Sequence, residues 1–134
     1  MRLNKEQLVK EAIEARKNSY APYSKFSVGA ALLLKSGEVI RGCNIENASY
    51  GLTNCAERTA IFKAISEGKK DFLALAVAAG EEKPTAPCGA CRQVILEFLP
   101  RETPVYYANI QGEIFETTVG NLLPDAFSRE DLEV

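Results

Sequence analysis

The residues best suited to chemistry in this sequence are its cysteines. Cys88 and Cys91 form a C-x-x-C pair at the start of a predicted helix, and Cys55 stands at the start of another. A C-x-x-C pair serves as two metal ligands or as a redox dithiol, and free cysteines are also common as buried apolar residues. Two helix N-termini that face each other can hold three thiolates at one point, because the helix dipoles stabilise negative charge there.

The number of cysteine ligands separates a catalytic zinc site from a structural one. Thiolates from Cys55, Cys88 and Cys91 would leave one position of a tetrahedral zinc ion open, which is typical of catalytic sites. Cys43 as a fourth ligand would close the site, but it lies within a predicted strand and has no x-x spacing to another cysteine. We therefore predict an open Zn²⁺ site and interpret Cys43 as a packed strand residue.

Charged residues beside the cysteines indicate how such a site would handle protons. Glu57 lies in the first turn of the helix that Cys55 opens, where it either complements the helix dipole or shuttles a proton beside the metal. Because the chain has no histidine, Glu57 is the candidate general acid and base. Arg58 and Arg92 are either surface charges or donors to the sulfur atoms, and we favour the donor role for Arg58.

The hydrophobic pattern predicts the elements that position these residues. A capping arrangement at Asn4 and an apolar stripe at helical spacing predict a helix from Asn4 to about Asn18. Strands are predicted at 26–34, 39–45, 73–79, 104–108 and 112–118. Further helices are predicted at 54–68, 87–100 and 119–123. This order predicts one α/β domain over residues 1–134, with three α-β-α layers built around a mixed five-stranded sheet.

Composition and charge narrow the classes of partner. The 134 residues carry a formal net charge of −2, and no run of Lys or Arg is longer than the pair at 69–70. Nucleic-acid binders usually present a basic patch, so we expect a small ligand and no nucleic acid. Residues 1–10 lack the apolar stretch of a secretory signal, and no segment has the ~18 apolar residues of a membrane span. We therefore expect a cytoplasmic protein without a membrane partner.

Several motifs in order resemble those of a known enzyme family. Cys-Ala-Glu at 55–57 and Pro-Cys-Gly-Ala-Cys at 87–91 are similar to the signature of zinc-dependent nucleobase and nucleoside deaminases. Four further segments resemble short-form, homotetrameric cytidine deaminases, namely 20–24, 26–31, 42–50 and 122–127. The resemblance covers nearly the whole chain. It implies hydrolytic deamination of cytidine and 2′-deoxycytidine to the uridine nucleosides and ammonia, in pyrimidine salvage.

The resemblance also implies a zinc site and a substrate site. The three cysteines at 55, 88 and 91 would hold one zinc ion per subunit, and Glu57 would be the proton shuttle. Asn44 and Glu46 would hydrogen-bond the ribose 3′-hydroxyl. Phe26 would pack against the nucleoside, and the backbone near Ala56 would bind the base carbonyl. Because a 3′-hydroxyl is common to both nucleosides, the sequence leaves the preference between cytidine and deoxycytidine open.

Two more aromatic residues are implied at a site shared between subunits. Phe127 would stack over the pyrimidine from a neighbouring subunit of a homotetramer, and Tyr50 would belong to the same shared site. Without the resemblance, Phe26 and Phe127 would both be interpreted as core residues.

Three other functions remain as alternatives from the sequence. Blasticidin S deaminases share the Cys-Ala-Glu and Pro-Cys-Gly-x-Cys-Arg elements, but the segment at 44–47 favours a cytidine enzyme because it supplies ribose-binding groups. A polynucleotide-editing deaminase is disfavoured by the lack of a basic patch. A non-catalytic zinc module would need Cys43 as a fourth ligand.

Overall fold

The computed structural model describes residues 3–132. Its strands are β1 (Val28–Leu34), β2 (Val39–Cys43), β3 (Phe72–Ala79), β4 (Pro104–Ala108) and β5 (Ile114–Thr118). Its α-helices are α1 (Lys5–Ala15), α2 (Ala56–Ser66), α3 (Gly89–Phe98) and α4 (Val119–Leu122). Single 3₁₀ turns occur at Arg16–Asn18, Tyr50–Leu52 and Arg129–Asp131.

The five strands form one mixed sheet in the order β2-β1-β3-β4-β5. The β3–β4 pair is parallel, and the other three pairs are antiparallel. A parallel pair needs a crossover connection, and α3 lies in the segment between β3 and β4. The nearly continuous burial of β1 and β3 matches their apolar sequences, as expected of central strands covered on both faces.

Helices cover both faces of the sheet, which confirms the predicted α/β class and layered arrangement. On one face, α1 packs Leu8, Val9 and Ala12 against alternate residues of the central strands. On the other face, α2, α3 and α4 bury a larger set of apolar residues, including Ile61, Ile95 and Val119. The thiol-bearing helix starts therefore lie on the second face.

Two glycines set how closely the helices approach the sheet. A Cβ atom at Gly29 would lie 2.0 Å from the backbone oxygen of Ala12 in α1. A Cβ atom at Gly42 would lie 2.5 Å from the backbone nitrogen of Ala60 in α2. Real Cβ atoms do not tolerate such distances, so each glycine is required by packing of a helix backbone onto its strand.

The predicted elements agree with the structure in order and type, and the differences are at their ends. The first strand begins at Val28 instead of Phe26, because residues 20–27 form a turn in which Lys25 has φ of 61°. The fifth strand begins at Ile114 instead of 112, because the side chain of Asn109 accepts hydrogen bonds from the backbone of Gln111 and Glu113 and extends the turn.

Candidate metal centre and active site

Two helix N-termini bring three of the four cysteines together. Cys55 is the N-cap of α2 and Cys88 is the N-cap of α3, both with extended backbone. Cys91 lies in the first turn of α3, fully buried, and its backbone N–H donates to the Cys88 sulfur at 3.5 Å. Because N-terminal N–H groups lack intrahelical partners, both helix ends favour negative charge on these sulfur atoms. We call Cys55, Cys88 and Cys91 the thiol cluster.

The spacing of the sulfur atoms fits one tetrahedral zinc ion. The three Sγ atoms all lie within 4.8 Å of one another, with 3.9 Å between Cys55 and Cys88 and 3.3 Å between Cys88 and Cys91. With Zn–S bonds of about 2.3 Å, tetrahedral geometry places sulfur atoms about 3.8 Å apart. To reach this spacing, the Cys88–Cys91 pair would have to open by about 0.5 Å. Cys43 is not part of this group, so the cluster offers three ligands.

The two arginines that follow the cysteines have different partners. The Arg58 Nη2 donates to the Cys55 sulfur at 3.2 Å, and its Nε is buried without a hydrogen-bond partner among residues 3–132. Arg92 instead donates from Nε to the Pro87 carbonyl at 2.7 Å and from Nη1 to the Leu122 carbonyl at 2.8 Å. Arg58 therefore withdraws charge from a sulfur atom, whereas Arg92 ties α3 to α4.

Hydrogen bonds within the thiol cluster favour a thiolate at Cys55. A hydrogen bond from the Cys91 thiol, with further ones from Arg58 and Cys88, lowers the pKa of Cys55 to about 5. The same hydrogen bond to Cys55, together with burial, raises the pKa of Cys91. Cys55 is thus the member of the thiol cluster whose surroundings favour the thiolate form. A metal ion has to displace the remaining thiol protons, since cysteine binds metals as the thiolate.

Glu57 is a buried carboxyl group beside this charge. Its side chain lies in the first turn of α2 and is 4% exposed. Its pKa is raised to about 7, mainly by burial, and the negative charge of Cys55 contributes to this rise. A carboxyl group that titrates near neutral pH can both accept and donate a proton, which is the requirement for general acid and base catalysis.

A cavity of about 250 Å³ joins these groups to the predicted ribose-binding residues. Its lining includes Cys55, Glu57 and Cys88 together with Asn44 and Glu46. Phe26 and Ala56 also line it, as do the last residues of β3. In α/β sheets, ligands bind beside the carboxyl ends of the strands, and this cavity occupies such a position.

Asn44 and Glu46 hold the loop that forms the cavity wall. Asn44 is 8% exposed, and its amide donates to the Phe26 carbonyl at 2.8 Å while its Oδ1 accepts from the Val28 N–H at 2.9 Å. Glu46 accepts hydrogen bonds from the backbone N–H groups of Tyr23 and Ser24, at 3.0 and 3.1 Å. We call Asn44 and Glu46 the strand-exit pair, because they follow the end of β2.

The family model described as the cytidine and deoxycytidylate deaminase zinc-binding region matches residues 2–107. A cytidine deaminase from Halalkalibacterium halodurans is 62% identical over 97% of this chain and 98% of its own length. The crystal structure of cytidine deaminase from Burkholderia pseudomallei superposes with a TM-score of 0.90 at 50% identity, covering 93% of this chain and 100% of that one.

This chain belongs to the cytidine deaminase family. The resemblance stated from its motifs is confirmed, as is its assignment to the zinc-dependent hydrolytic deaminases. A blasticidin-S deaminase from Bacillus cereus is a more distant relative, 34% identical over 79% of this chain and 80% of its own length. No helix within residues 3–132 is long and apolar enough to cross a membrane.

Two of the predicted substrate-binding residues, Tyr50 and Phe127, do not line the Glu57 cavity of this cytidine deaminase family member. Tyr50 is 75% exposed and lines a second cavity, where its ring meets Tyr23 edge-on with centroids 6.1 Å apart. Phe127 is 62% exposed, and its carbonyl accepts a hydrogen bond from Gln93 Nε2 at 2.9 Å. Cys43 ends β2 and is half-buried. Within one chain, therefore, neither aromatic ring contributes to the cavity that holds Glu57.

Seven further residues that line the cavity are not predicted from the sequence. They are Ser24, Val28, Thr53, Val77, Ala79, Thr85 and Ala86. Val77 and Ala79 are two apart at the carboxyl end of β3, so strand periodicity together with the position of the sheet edge could have identified them. The residues at 85–86 directly precede the C-x-x-C segment, but their position in the cavity depends on how the loop after β3 returns to α3.

Proposed function

We propose that this protein hydrolyses the 4-amino group of cytidine and 2′-deoxycytidine, releasing ammonia and leaving uridine or 2′-deoxyuridine. The observation that carries this proposal is the single cavity that contains Glu57, two members of the thiol cluster and the strand-exit pair. Relatives named cytidine deaminase, at 62% and 60% identity, support the substrate class.

In this proposal the thiol cluster would hold one zinc ion, which would act as the Lewis acid that activates water. Glu57 accepts the first proton of the attacking water and delivers it to N3 of the pyrimidine. It then moves the second proton from the new C4 oxygen to the amino nitrogen, which leaves as ammonia. The buried position of Glu57 and its pKa of about 7 support both transfers near neutral pH.

The remaining cavity residues bind the nucleoside. The strand-exit pair holds the ribose 3′-hydroxyl, Phe26 packs against the nucleoside, and the backbone of Ala56 binds the base carbonyl. The first-turn position of Ala56 supports its role, because N–H groups there have no intrahelical acceptor. Since both nucleosides carry a 3′-hydroxyl, the proposal covers cytidine and deoxycytidine alike.

We also propose that the protein is a cytoplasmic homotetramer that acts in pyrimidine salvage and shares its active sites between subunits. Phe127 stacks over the pyrimidine of a neighbouring subunit, and Tyr50 belongs to the same shared site. The large exposed apolar side chains of the isolated chain support assembly, since such surface is typical of interfaces; they include Tyr20, Tyr50, Leu52 and Phe127. Sedimentation equilibrium should give four times the chain mass, and a monomer would contradict this assembly.

The decisive experiment follows the ultraviolet absorbance of cytidine and, separately, of blasticidin S with the purified protein, alongside metal analysis. We expect loss of cytidine absorbance, about one zinc ion per chain and loss of activity after chelation. Consumption of blasticidin S without consumption of cytidine would overturn the substrate assignment. A zinc-loaded protein inactive on both compounds would overturn the proposed function.

A further inference from the structure

The loop that contains Phe26 has little regular structure of its own, and side chains supply several of the hydrogen bonds that hold it. Residues 20–27 include no α-helix or β-strand, and Lys25 adopts a φ of 61°. Asn44 holds the far part of this loop through the Phe26 carbonyl and the Val28 N–H. The near part, at Tyr23 and Ser24, is held by the other member of the strand-exit pair.

The Glu46 carboxylate is surrounded by donors from a single turn. Its Oε1 accepts from the backbone N–H groups of Tyr23 and Ser24, at 3.0 and 3.1 Å, and its Oε2 accepts from the Ser24 hydroxyl. The Ser24 hydroxyl also accepts from the Phe26 N–H at 3.0 Å. Ser24 is thus the side-chain donor that orients Glu46, and it lines the same cavity.

We propose that Ser24 is a positioning residue for substrate binding, whose hydroxyl orients the Glu46 carboxylate toward the sugar 3′-hydroxyl of the nucleoside. The inference rests on the proposed function, since it assigns Ser24 a role in binding that substrate. Two backbone N–H groups engage Oε1, and the Ser24 hydroxyl prevents rotation of Oε2. A charge-assisted hydrogen bond of this kind is short and strong, so its loss leaves the carboxylate free to turn away from the sugar.

The geometry also separates this role from simple support of the loop. If Ser24 acted only through its bond to the Phe26 N–H, its removal would disturb binding of the nucleoside whatever its sugar. If it acts through Glu46, the loss depends on the 3′-hydroxyl that Glu46 binds. The hydrogen bond from Ser24 is also the main cause that lowers the pKa of Glu46, which agrees with a carboxylate held in its charged form.

The test compares cytidine with 3′-deoxycytidine as substrates of the zinc-loaded enzyme. We expect Ser24→Ala to lower kcat/KM for cytidine about tenfold, the effect of one charge-assisted hydrogen bond, and mainly through KM. On 3′-deoxycytidine its kcat/KM should stay within about twofold of wild type. Ser24→Thr, which keeps the hydroxyl, should restore cytidine kinetics. In a Glu46→Ala background, Ser24→Ala should add no further loss, as a double-mutant cycle requires for residues acting as a unit.

Ser27→Ala is the matched control, because within the described part of the chain the Ser27 hydroxyl makes no hydrogen bond, and its kinetics should equal wild type. Equal losses on both substrates, or no loss on cytidine, would overturn the role of Ser24 while leaving the proposed function intact. Wild-type protein that fails to deaminate cytidine would overturn both. Thermal unfolding of each variant shows whether a loss reflects misfolding, and a loss that Ser24→Thr does not restore also overturns the inference.

Discussion

The thiol cluster and the strand-exit pair lie on one cavity but are held in place by different means. Cys55 and Cys88 are N-caps, so the backbone of two helices packed on the sheet determines where their sulfur atoms lie. Asn44 and Glu46 follow the end of β2, and their own side chains hold the neighbouring loop through hydrogen bonds. Regular structure therefore positions the thiol cluster, whereas side-chain hydrogen bonds join the strand-exit pair to the loop beside it.

This difference has a consequence for substitutions. A change at the thiol cluster or Glu57 should remove chemistry and leave the fold intact, because helices and sheet hold the backbone there. A change at the strand-exit pair should weaken binding and stability together, because the side chains that hold the loop are also the ones proposed to bind substrate. Substitutions at Cys88, Glu57 and Asn44 test that separation.

The largest effect is expected for Cys88→Ser. Loss of a thiolate ligand should deplete zinc and lower kcat by more than the roughly 100-fold that loss of an outer-shell partner costs. Metal analysis and cytidine turnover measure both quantities. Cys43→Ser is the matched control, since Cys43 lies outside the thiol cluster, and it should keep zinc and activity. Full zinc occupancy in Cys88→Ser would show that Cys88 is not a ligand.

Glu57→Gln should retain zinc and fold but lose proton transfer. General acid and base catalysis contributes roughly 10²–10⁴-fold, so kcat should fall by about that factor with little change in nucleoside affinity. Stopped-flow or steady-state absorbance measures kcat, and equilibrium binding of uridine measures affinity. An unchanged kcat would remove Glu57 from the mechanism.

The raised pKa of Glu57 also predicts a pH dependence of stability in the zinc-free, reduced protein. The folded pKa of about 7 lies above the usual glutamate value of 4.5. The contribution of protonated Glu57 to stability is therefore fully present below pH 4.5 and is lost as pH rises through 7. Wild type should therefore lose about 3 kcal/mol relative to Glu57→Gln over this range. Urea unfolding at several pH values measures the difference, and parallel stability curves for the two proteins would contradict it.

Asn44→Ala tests the strand-exit pair. It removes the amide that holds Phe26 and Val28, so we expect a loss of roughly 1–3 kcal/mol in unfolding free energy together with a raised KM for cytidine. Asn121→Ala is the control on an exposed asparagine and should change neither quantity. A raised KM with unchanged stability would show that substrate binding and loop support are separate. It would contradict the expectation that Asn44 serves both.

Most of the fold was predictable because its hydrophobic patterns are local. The apolar run of β3 and the helical stripe of α1 were identified at nearly their observed bounds. The sequence predicts the start of β1 two residues early, since the Asn44 amide that holds the Phe26 carbonyl comes from 18 positions away. Hydrogen bonds between distant parts of the chain decide such boundaries.

The metal chemistry could be predicted from the sequence by itself. Cysteines at two helix starts, a glutamate beside one of them and a chain without histidine already indicate an open thiolate zinc site. These features depend on residue type, short spacing and helix ends, which are local properties. The family comparison confirms this zinc-dependent deaminase assignment.

Only the tertiary structure decided which residues share the cavity and what each hydrogen bond does there. Burial of Glu57 beside Cys55 raises its pKa, and the Ser24 hydroxyl reaches Glu46 across 22 positions of sequence. Desolvation and such long-range contacts depend on how helices pack on both faces of the sheet. Local sequence patterns do not specify burial or contacts between distant residues. The pKa of Glu57 and the contact between Ser24 and Glu46 therefore appear only in the folded chain.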